Sequence, residues 1–199
     1  GIYNIAIDIE EWRDGVKIGN IVRDMQIEVY DTDNHPPEQN ELSDYCVEAG
    51  DLIEFDVIAT DLDNDSIRQS ASGGPFVVEE SPANYTINSE SLDIGYSEAT
   101  FNWATECSHV RQQPYTIVFK AEDNNPETNL VDIKNVNIKV LGPAPERPTL
   151  IPASSSITVA WNAADCKNVV GYEIYRKDGP ASYLPDSCTN GVPPSIGYE

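Results

Sequence analysis

Short runs in which apolar and polar residues alternate, separated by turn signals, constrain the fold of this chain more than any other feature. Alternation at every second position is typical of strands with one buried face, and no segment shows a sustained helical period. In the middle of the chain the candidate strands are residues 52–59, 67–71, 76–78, 83–87, 99–103, 115–121 and 131–141. The sequence therefore predicts an all-β protein built from sandwich domains.

Turns and prolines divide the chain into predicted parts, which are residues 1–33, 34–141, 142–148 and 149–199. The first part predicts a β-hairpin with its turn at Asp14-Gly15 and a bulge at Gly19. Because a lone hairpin is not stable by itself, we expect this one to complete a preceding domain. Both chain ends look cut, which favours a segment of a longer protein.

The other three parts are recognised by their strand patterns and their proline content. Residues 34–141 hold the candidate strands of one complete sandwich. Residues 142–148 are rich in proline and predict a stiff linker. In the last part, Ile157-Thr-Val-Ala-Trp161 and residues 171–179 alternate and predict two strands of a domain of which only the first half is present.

An internal repeat supports this division. The matching landmarks are Tyr3 with Tyr115, Ile27 with Ile138, Val29 with Val140, and Pro37 with Pro148. The offset is 112 residues for the first pair and 111 for the others, close to the length of one sandwich domain. A period of this size indicates domains in tandem. The alternative is a chance likeness between two hairpins of one type.

The charge of the chain excludes some partners. Its 199 residues carry 34 acidic and 12 basic side chains, a formal net charge of -22. A surface this negative repels nucleic acid and anionic lipid and attracts cations. No apolar run approaches the roughly 20 residues of a membrane-spanning helix. The sequence thus predicts neither nucleic-acid binding nor membrane insertion.

The cysteines indicate the compartment. Cys46, Cys107, Cys166 and Cys188 are widely spaced, and no Cys-x-x-Cys pair occurs. This spacing argues against a zinc site or a redox motif and favours two disulfides in an extracellular setting. Four buried free thiols are the alternative. All pairings remain open; the sequential one, Cys46 with Cys107 and Cys166 with Cys188, keeps each bridge inside one predicted domain.

The densest acidic motif contains Asp61, Asp63 and Asp65, directly after a predicted strand. Ca²⁺ takes about 6–8 oxygen ligands, and carboxylates at alternate positions of a turn can face one centre. Asp31 and Asp33, in the preceding polar linker, offer further oxygens. We therefore expect these aspartates to bind Ca²⁺. An ordinary solvated loop with Asx turns is the alternative.

Two resemblances add to this interpretation. Ala59-Thr-Asp-Leu-Asp63 resembles the Ala-Thr-Asp-x-Asp segment of cadherin repeats, and Asp31-Thr-Asp-Asn-His-Pro-Pro37 resembles their acidic inter-repeat linker. This resemblance implies that loop and linker hold calcium together and stiffen a joint between modules. Residues 157–161 and 171–179 look like the B and C strands of a fibronectin type III domain. The implied fold is tandem Ig-like/cadherin-like β-sandwiches followed by a partial fibronectin type III domain.

Motifs near both ends resemble very large surface proteins of gliding bacteria. They are Tyr3-Asn-Ile-Ala-Ile7, Glu11-Trp-Arg-Asp-Gly-Val16, Val22-Arg-Asp-Met-Gln-Ile27, Gly171-Tyr-Glu-Ile-Tyr-Arg-Lys177 and Thr189-Asn-Gly-Val-Pro193. The family is that of gliding-motility-associated, type IX-secreted cell-surface proteins, which often carry a type B sorting domain. The resemblance implies a multi-domain adhesin or surface filament exported across the outer membrane. Asp65-Ser66-Ile67 also resembles the O-glycosylation motif of such bacteria, with Ser66 as the acceptor.

Catalytic motifs are missing from the sequence. His35 lies beside a proline linker and His109 in a polar loop, and neither has a recognisable nucleophile motif nearby. Paired carboxylates are abundant, but an acidic chain supplies such pairs by accident. Trp103 and Trp161 are expected in domain cores, whereas Trp12 is expected to be exposed. We therefore predict a protein without enzymatic activity.

Three functions are consistent with these features. The first, which we expect, is a structural and adhesive segment of a secreted cell-surface protein. Its partners are other domains of the same chain, surface polysaccharide or other surface proteins. The second is a carbohydrate-binding accessory module of a secreted polysaccharide-degrading enzyme, which requires a flat aromatic platform. The third is a substrate or component held by the type IX secretion machinery, which requires a large interface with another chain.

Overall fold

The computed structural model describes residues 1–90, 95–180, 183, 188 and 191–198. These residues form strands and short 3-10 turns, so the protein is all-β, as predicted. They divide into two compact units, residues 1–34 and 35–199. None of the described residues belongs to a helix long and apolar enough to cross a membrane.

The first unit is a long β-hairpin. Strand β1 (Ile2–Arg13) pairs antiparallel with β2 (Val16–Glu28). Asp14 and Gly15 have φ values of 50° and 76°, which is the left-handed pair that a two-residue hairpin turn requires. The register shifts by one residue where Glu11 faces Gly19. The predicted hairpin, its turn and its bulge are therefore confirmed.

The second unit contains a two-sheet sandwich. Its strands in chain order are β3 (Glu38–Gln39), β4 (Tyr45–Glu48), β5 (Leu52–Thr60), β6 (Ile67–Gly73), β7 (Asn84–Glu90), β8 (Tyr96–Ala104), β9 (Tyr115–Asp123) and β10 (Val131–Leu141). One sheet has the order β3-β5-β8-β7 and the other β4-β10-β9-β6. Among the described strand pairs of the sandwich, only β4–β10 is parallel. This strand order is that of immunoglobulin-type sandwiches, which confirms the predicted fold class.

The core lies between these two sheets. Every second residue of β8 and β9 is buried there, as the pleat of a strand requires. Phe101 of β8 meets Phe119 of β9 edge to face, with ring centroids 5.9 Å apart. Trp103 is fully buried, as predicted, and its indole N–H donates to the Ser81 carbonyl at 2.9 Å.

Two predicted strands are wrong. Phe76 lies in a 3-10 turn, Gly74–Val77, because Pro75 cannot donate to a ladder and Gly73 turns the backbone at φ 149°. Residues 171–179 form no strand. Among the described residues, the neighbouring strands β11 (Thr149–Pro152) and β12 (Ile157–Ala160) pair only with each other, and neither forms a ladder with residues 171–179. The remaining 3-10 turns are Cys107–His109 and Pro194–Ile196.

Candidate cation site

The aspartate motif begins where β5 ends at Thr60. The Oδ1 atom of Asp61 accepts the backbone N–H groups of Asp63, at 2.8 Å, and Asp65, at 3.2 Å. Asn64, between them, has a φ of 62°, a conformation that asparagine tolerates better than most residues. These bonds form an Asx turn, the feature that the sequence analysis gave as part of the alternative to an ion site. They use only one of the two oxygens of Asp61.

The second oxygen of Asp61 has no such partner. Asp61 is only 7% exposed, and its Oδ2 is buried without a hydrogen-bond partner among the described residues. A buried carboxylate oxygen without a donor costs stability, and native proteins rarely leave one. A cation beside Oδ2 would offset this cost.

The three aspartates converge on one point. One carboxylate oxygen from each of Asp61, Asp63 and Asp65 lies within 4.8 Å of the others. Two oxygens bound to one Ca²⁺ at about 2.4 Å lie at most about 4.8 Å apart, so the spacing suits one shared ion. Asp61 is buried, Asp65 is half-buried and Asp63 is exposed, so the cluster opens to solvent on one side.

The other two predicted ligands, Asp31 and Asp33, are not among the three aspartates that converge. Asp31 and Asp33 belong to the first unit, whereas the cluster is formed by residues of the second. Both side chains are exposed. The structure does not assign them to the cluster, and their part in cation binding stays a prediction.

His35 is a member of the site that the sequence analysis missed. Its backbone N–H donates to Asp63 Oδ2 at 2.6 Å, and its ring Nδ1 lies 3.1 Å from both carboxylate oxygens. That backbone bond, together with the nearby ring, holds the pKa of the Asp63 carboxyl below its usual value. Asp63 is therefore ionised, as a cation ligand must be. The only signal in the sequence was the place of His35 within the acidic linker.

Two further segments support the loop. The Asn125 side chain, in the turn between β9 and β10, donates to Asp65 Oδ2 at 2.9 Å. On the other side, the Gly95 carbonyl accepts the backbone N–H of Asp61 at 2.8 Å. A Cβ atom on Gly95 would lie 2.6 Å from the Asp61 carbonyl oxygen, so the close approach requires glycine.

The disulfides do not follow the sequential pairing. Cys107 pairs with Cys166 and Cys46 with Cys188, at Cα–Cα distances of 5.3 and 5.7 Å. The sequential expectation assumed independent domains, but the segment after residue 142 lies against the sandwich. Asn168 shows this contact, since its side chain donates to the Cys107 carbonyl at 2.8 Å. Both bridges therefore join the sandwich to this segment.

His109 is part of the fold rather than of a reactive site. It is buried, and its Nδ1 accepts the backbone N–H of Glu106 at 2.9 Å. This bond places the proton on Nε2, which donates to the Glu80 carbonyl at 2.8 Å. Both ring nitrogens are thus engaged with backbone. Ser66, the predicted glycosylation residue, is half-buried, and its modification stays a prediction.

A groove of about 890 Å³ lies among the residues after the sandwich and includes Trp161, Tyr172 and Tyr175 in its walls. Trp161 is half-buried there rather than in a core, while Trp12 is exposed, as predicted. The rings of Trp161 and Tyr172 are 5.6 Å apart and cross at 75°. A flat sugar-binding platform requires rings in one plane, so this pair does not supply one.

No family model matches this chain, and no curated protein matches it. Among solved structures, the sialic-acid-binding region of a Streptococcus sanguinis SK1 adhesin aligns over 60% of this chain and 34% of its own, with 17% identity and a TM-score of 0.41. A variant of the SrpA adhesin from Streptococcus sanguinis aligns over 60% and 67%, with 14% identity and a TM-score of 0.43. Zebrafish RET cadherin-like domains 1 to 4 align over 72% and 35%, with 14% identity and a TM-score of 0.37. The chain thus spans about a third of the first adhesin, and similarity this low says nothing of what it binds.

Proposed function

We propose that this chain is a non-catalytic structural and adhesive segment of a secreted cell-surface protein. The observation that carries the proposal is the cluster of Asp61, Asp63 and Asp65, which lies at the end of a sandwich where the linker residue His35 meets it. A cation held at such a place stiffens the end of a module. The buried, unpartnered oxygen of Asp61 supports a structural ion.

The three aspartates of the cluster are ligands of the kind that Ca²⁺ prefers. The cluster offers hard carboxylate oxygens, with neither sulfur nor nitrogen in the set of three aspartates. When bound, the ion would neutralise charge on a strongly acidic chain and fix the loop after β5. Asp61, Asp63 and Asp65 would hold it, and His35 would keep Asp63 oriented by its backbone bond. Extracellular modules bind Ca²⁺ with Kd values of about 10⁻⁴–10⁻³ M, so a shallow site is sufficient outside the cell.

The bridges Cys46–Cys188 and Cys107–Cys166 support an extracellular location. They hold the segment after the sandwich against it, which protects that segment from proteolysis and from pulling. We also propose that the parent protein is exported by the type IX route in a gliding bacterium. The support for this route is the set of sequence motifs in the hairpin and in residues 171–193.

The test uses intact cells of the parent organism. We expect an antibody against residues 35–141 to label unpermeabilised cells, and external protease to remove the signal. A strain that lacks these residues should adhere to glass and to polysaccharide less than its parent, as should the parent in EDTA. A protein found only inside the cells, or unchanged adhesion in the deletion strain, would contradict the proposal.

A further inference from the structure

The hairpin of the first unit has one apolar face and one polar face. Residues directly opposite in the ladder point to the same side, so the pairs of Tyr3, Ile5, Ile7 and Ile9 define a face. This apolar hairpin face consists of Tyr3, Ile5, Ile7, Ile9, Ile21, Met25 and Ile27, each between 38% and 59% exposed, and includes one charged residue, Arg23. The other face is mostly polar and carries Asn4, Asp8, Glu10, Asn20, Asp24, Gln26 and Glu28, together with Ile2, Ala6 and Val22. A contiguous apolar face of this kind marks an interaction surface.

The ladder of the hairpin has the register of the β9–β10 pair. In the hairpin Tyr3 faces Ile27 and Ile5 faces Met25. At the same repeat offsets, Tyr115 faces Ile138 and Ile117 faces Val136. The agreement continues through Ile7 with Arg23 and Phe119 with Lys134. A chance likeness of two sequences would not reproduce the pairing register, so the repeat is structural.

Most residues equivalent to the apolar hairpin face are buried in the sandwich, whereas the equivalents of Ile21 and Arg23, which are Asp132 and Lys134, are half-buried. Tyr115, Ile117, Phe119, Val136 and Ile138 are at most 5% exposed. They are covered by the sheet β3-β5-β8-β7, as the contacts of Phe119 with Phe55 and Phe101 show. The apolar hairpin face therefore has the composition and register of a face that such a sheet covers.

Both edges of the hairpin also lack their counterparts. In the sandwich, β9 pairs on its outer edge with β6, and β10 pairs in parallel with β4. Strands β1 and β2 pair only with each other among the described residues. To match the surroundings of β9 and β10, the hairpin would need one more strand on each edge and a second sheet over its apolar face.

We propose that the hairpin is the last strand pair of a second sandwich, and that its apolar face docks on the inner face of a β3-β5-β8-β7-type sheet supplied by a preceding repeat of the parent protein. A second copy of this chain does not fit. The inner face of its own sheet is already covered, since Val57 and Phe101 are fully buried. The partner is therefore a set of strands homologous to β3–β8, and the 111-residue offset between the hairpin and β9–β10 puts them in the part of the parent protein directly before the hairpin.

The test compares the 199-residue chain with the same chain extended by the residues that precede it in the parent protein. Backbone hydrogen exchange is followed by mass spectrometry in EDTA, so that the result does not depend on the cation proposal. We expect residues 3–9 and 21–27 to exchange at least about 100-fold more slowly in the extended protein. Equal exchange in both proteins would overturn the proposal.

Matched variants locate the docking face. Ile7→Asn lies on the apolar hairpin face, whereas Val22→Asn, which pairs with Asp8, lies on the other, and both native side chains are about half exposed. In the extended protein, Ile7→Asn should remove most of the protection and Val22→Asn should retain it. Protection that instead appears in the short chain as its concentration rises, together with dimers in sedimentation, would overturn the proposal in favour of hairpin-to-hairpin packing.

Discussion

The two oxygens of the Asp61 carboxylate have different surroundings. Oδ1 accepts two backbone N–H groups and builds the turn, whereas Oδ2 is buried without a donor among the described residues. The sequence could predict the three aspartates, because their spacing is local. It could not predict His35 at Asp63, or Gly95 behind Asp61, because both contacts depend on the path of the folded chain. The contacts that His35 and Gly95 make with the aspartate loop therefore lie outside any local motif.

Substitution of Gly95 tests how tightly the loop is held. Gly95 has a φ of 59°, and an added Cβ would lie 2.6 Å from the Asp61 carbonyl oxygen and 2.9 Å from the Asn64 Cα. Gly95→Ala should therefore lower the free energy of unfolding of the second unit by about 2–4 kcal/mol, as measured in urea.

The matched control for this substitution is Gly50→Ala. Gly50 also has a positive φ, 107°, but an added Cβ would meet nothing within 4 Å. Its replacement carries the backbone cost alone and should destabilise the unit less than Gly95→Ala. Equal losses for the two variants would show that the close approach at Asp61 does not matter.

At the scale of elements, alternation predicted the long strands and failed for short or interrupted ones. Strands β5, β8, β9 and β10 are long enough to bury several alternate residues, so their pattern is visible. Strands β3 and β4 have only two and four residues, too few to show a period. Residues 171–179 alternate without forming a strand, because pairing depends on a neighbour that a local pattern does not report.

Trp103 of β8 tests the assignment of the core. It is fully buried against His109 and Tyr115, with ring centroids 4.9 and 5.0 Å away, and its N–H is satisfied by Ser81. Trp103→Ala should lower the free energy of unfolding by about 3–5 kcal/mol in urea. Trp103→Phe, which keeps an aromatic ring but loses the indole bond, should cost less and retain the fold.

Trp12 provides the matched control, because it is exposed at the end of the hairpin. Trp12→Ala should change the free energy of unfolding of the second unit by less than about 0.5 kcal/mol in urea. In the native protein, the contribution of Trp12 to the fluorescence should be red-shifted and quenched by iodide, and it should be absent from Trp12→Ala. A large loss of stability in the Trp12 variant would place that residue in a core and contradict the structure.

At the scale of the whole molecule, the disulfides were the hardest feature to predict. The cysteine count indicated two bridges, but the pairing depends on where residues 142–198 lie in the folded protein. In the structure both bridges join the sandwich to that segment. The sandwich itself has its own core and two four-stranded sheets, whereas the regular structure among the described residues of the segment is the β11–β12 pair and the 3-10 turn Pro194–Ile196.

Reduction of the two disulfides should therefore loosen the segment after residue 142 and leave the sandwich folded. A non-reduced digest should contain Cys107 peptides linked to Cys166 and Cys46 peptides linked to Cys188. After reduction, amides of residues 149–160 should exchange faster while those of β5, β8 and β9 remain protected. A Cys46–Cys107 link in the digest, or global unfolding on reduction, would disagree with this description.

The most direct test of the central claim is the melting temperature of the chain in CaCl₂ and in EDTA, measured for the native protein, Asp61→Asn and the exposed control Glu79→Gln. A bound ion stabilises the folded state by about 2.7 kcal/mol at 100 times its Kd, and each kcal/mol raises the melting temperature by about 2–4 °C in a domain of this size. We predict that Ca²⁺ raises the melting temperature of the native protein and of Glu79→Gln equally. Asp61→Asn should melt above the native protein in EDTA, because the buried charge is gone, and should not respond to Ca²⁺. A native protein that melts at the same temperature in both buffers, or an Asp61→Asn variant that responds like it, would contradict a calcium-stiffened module.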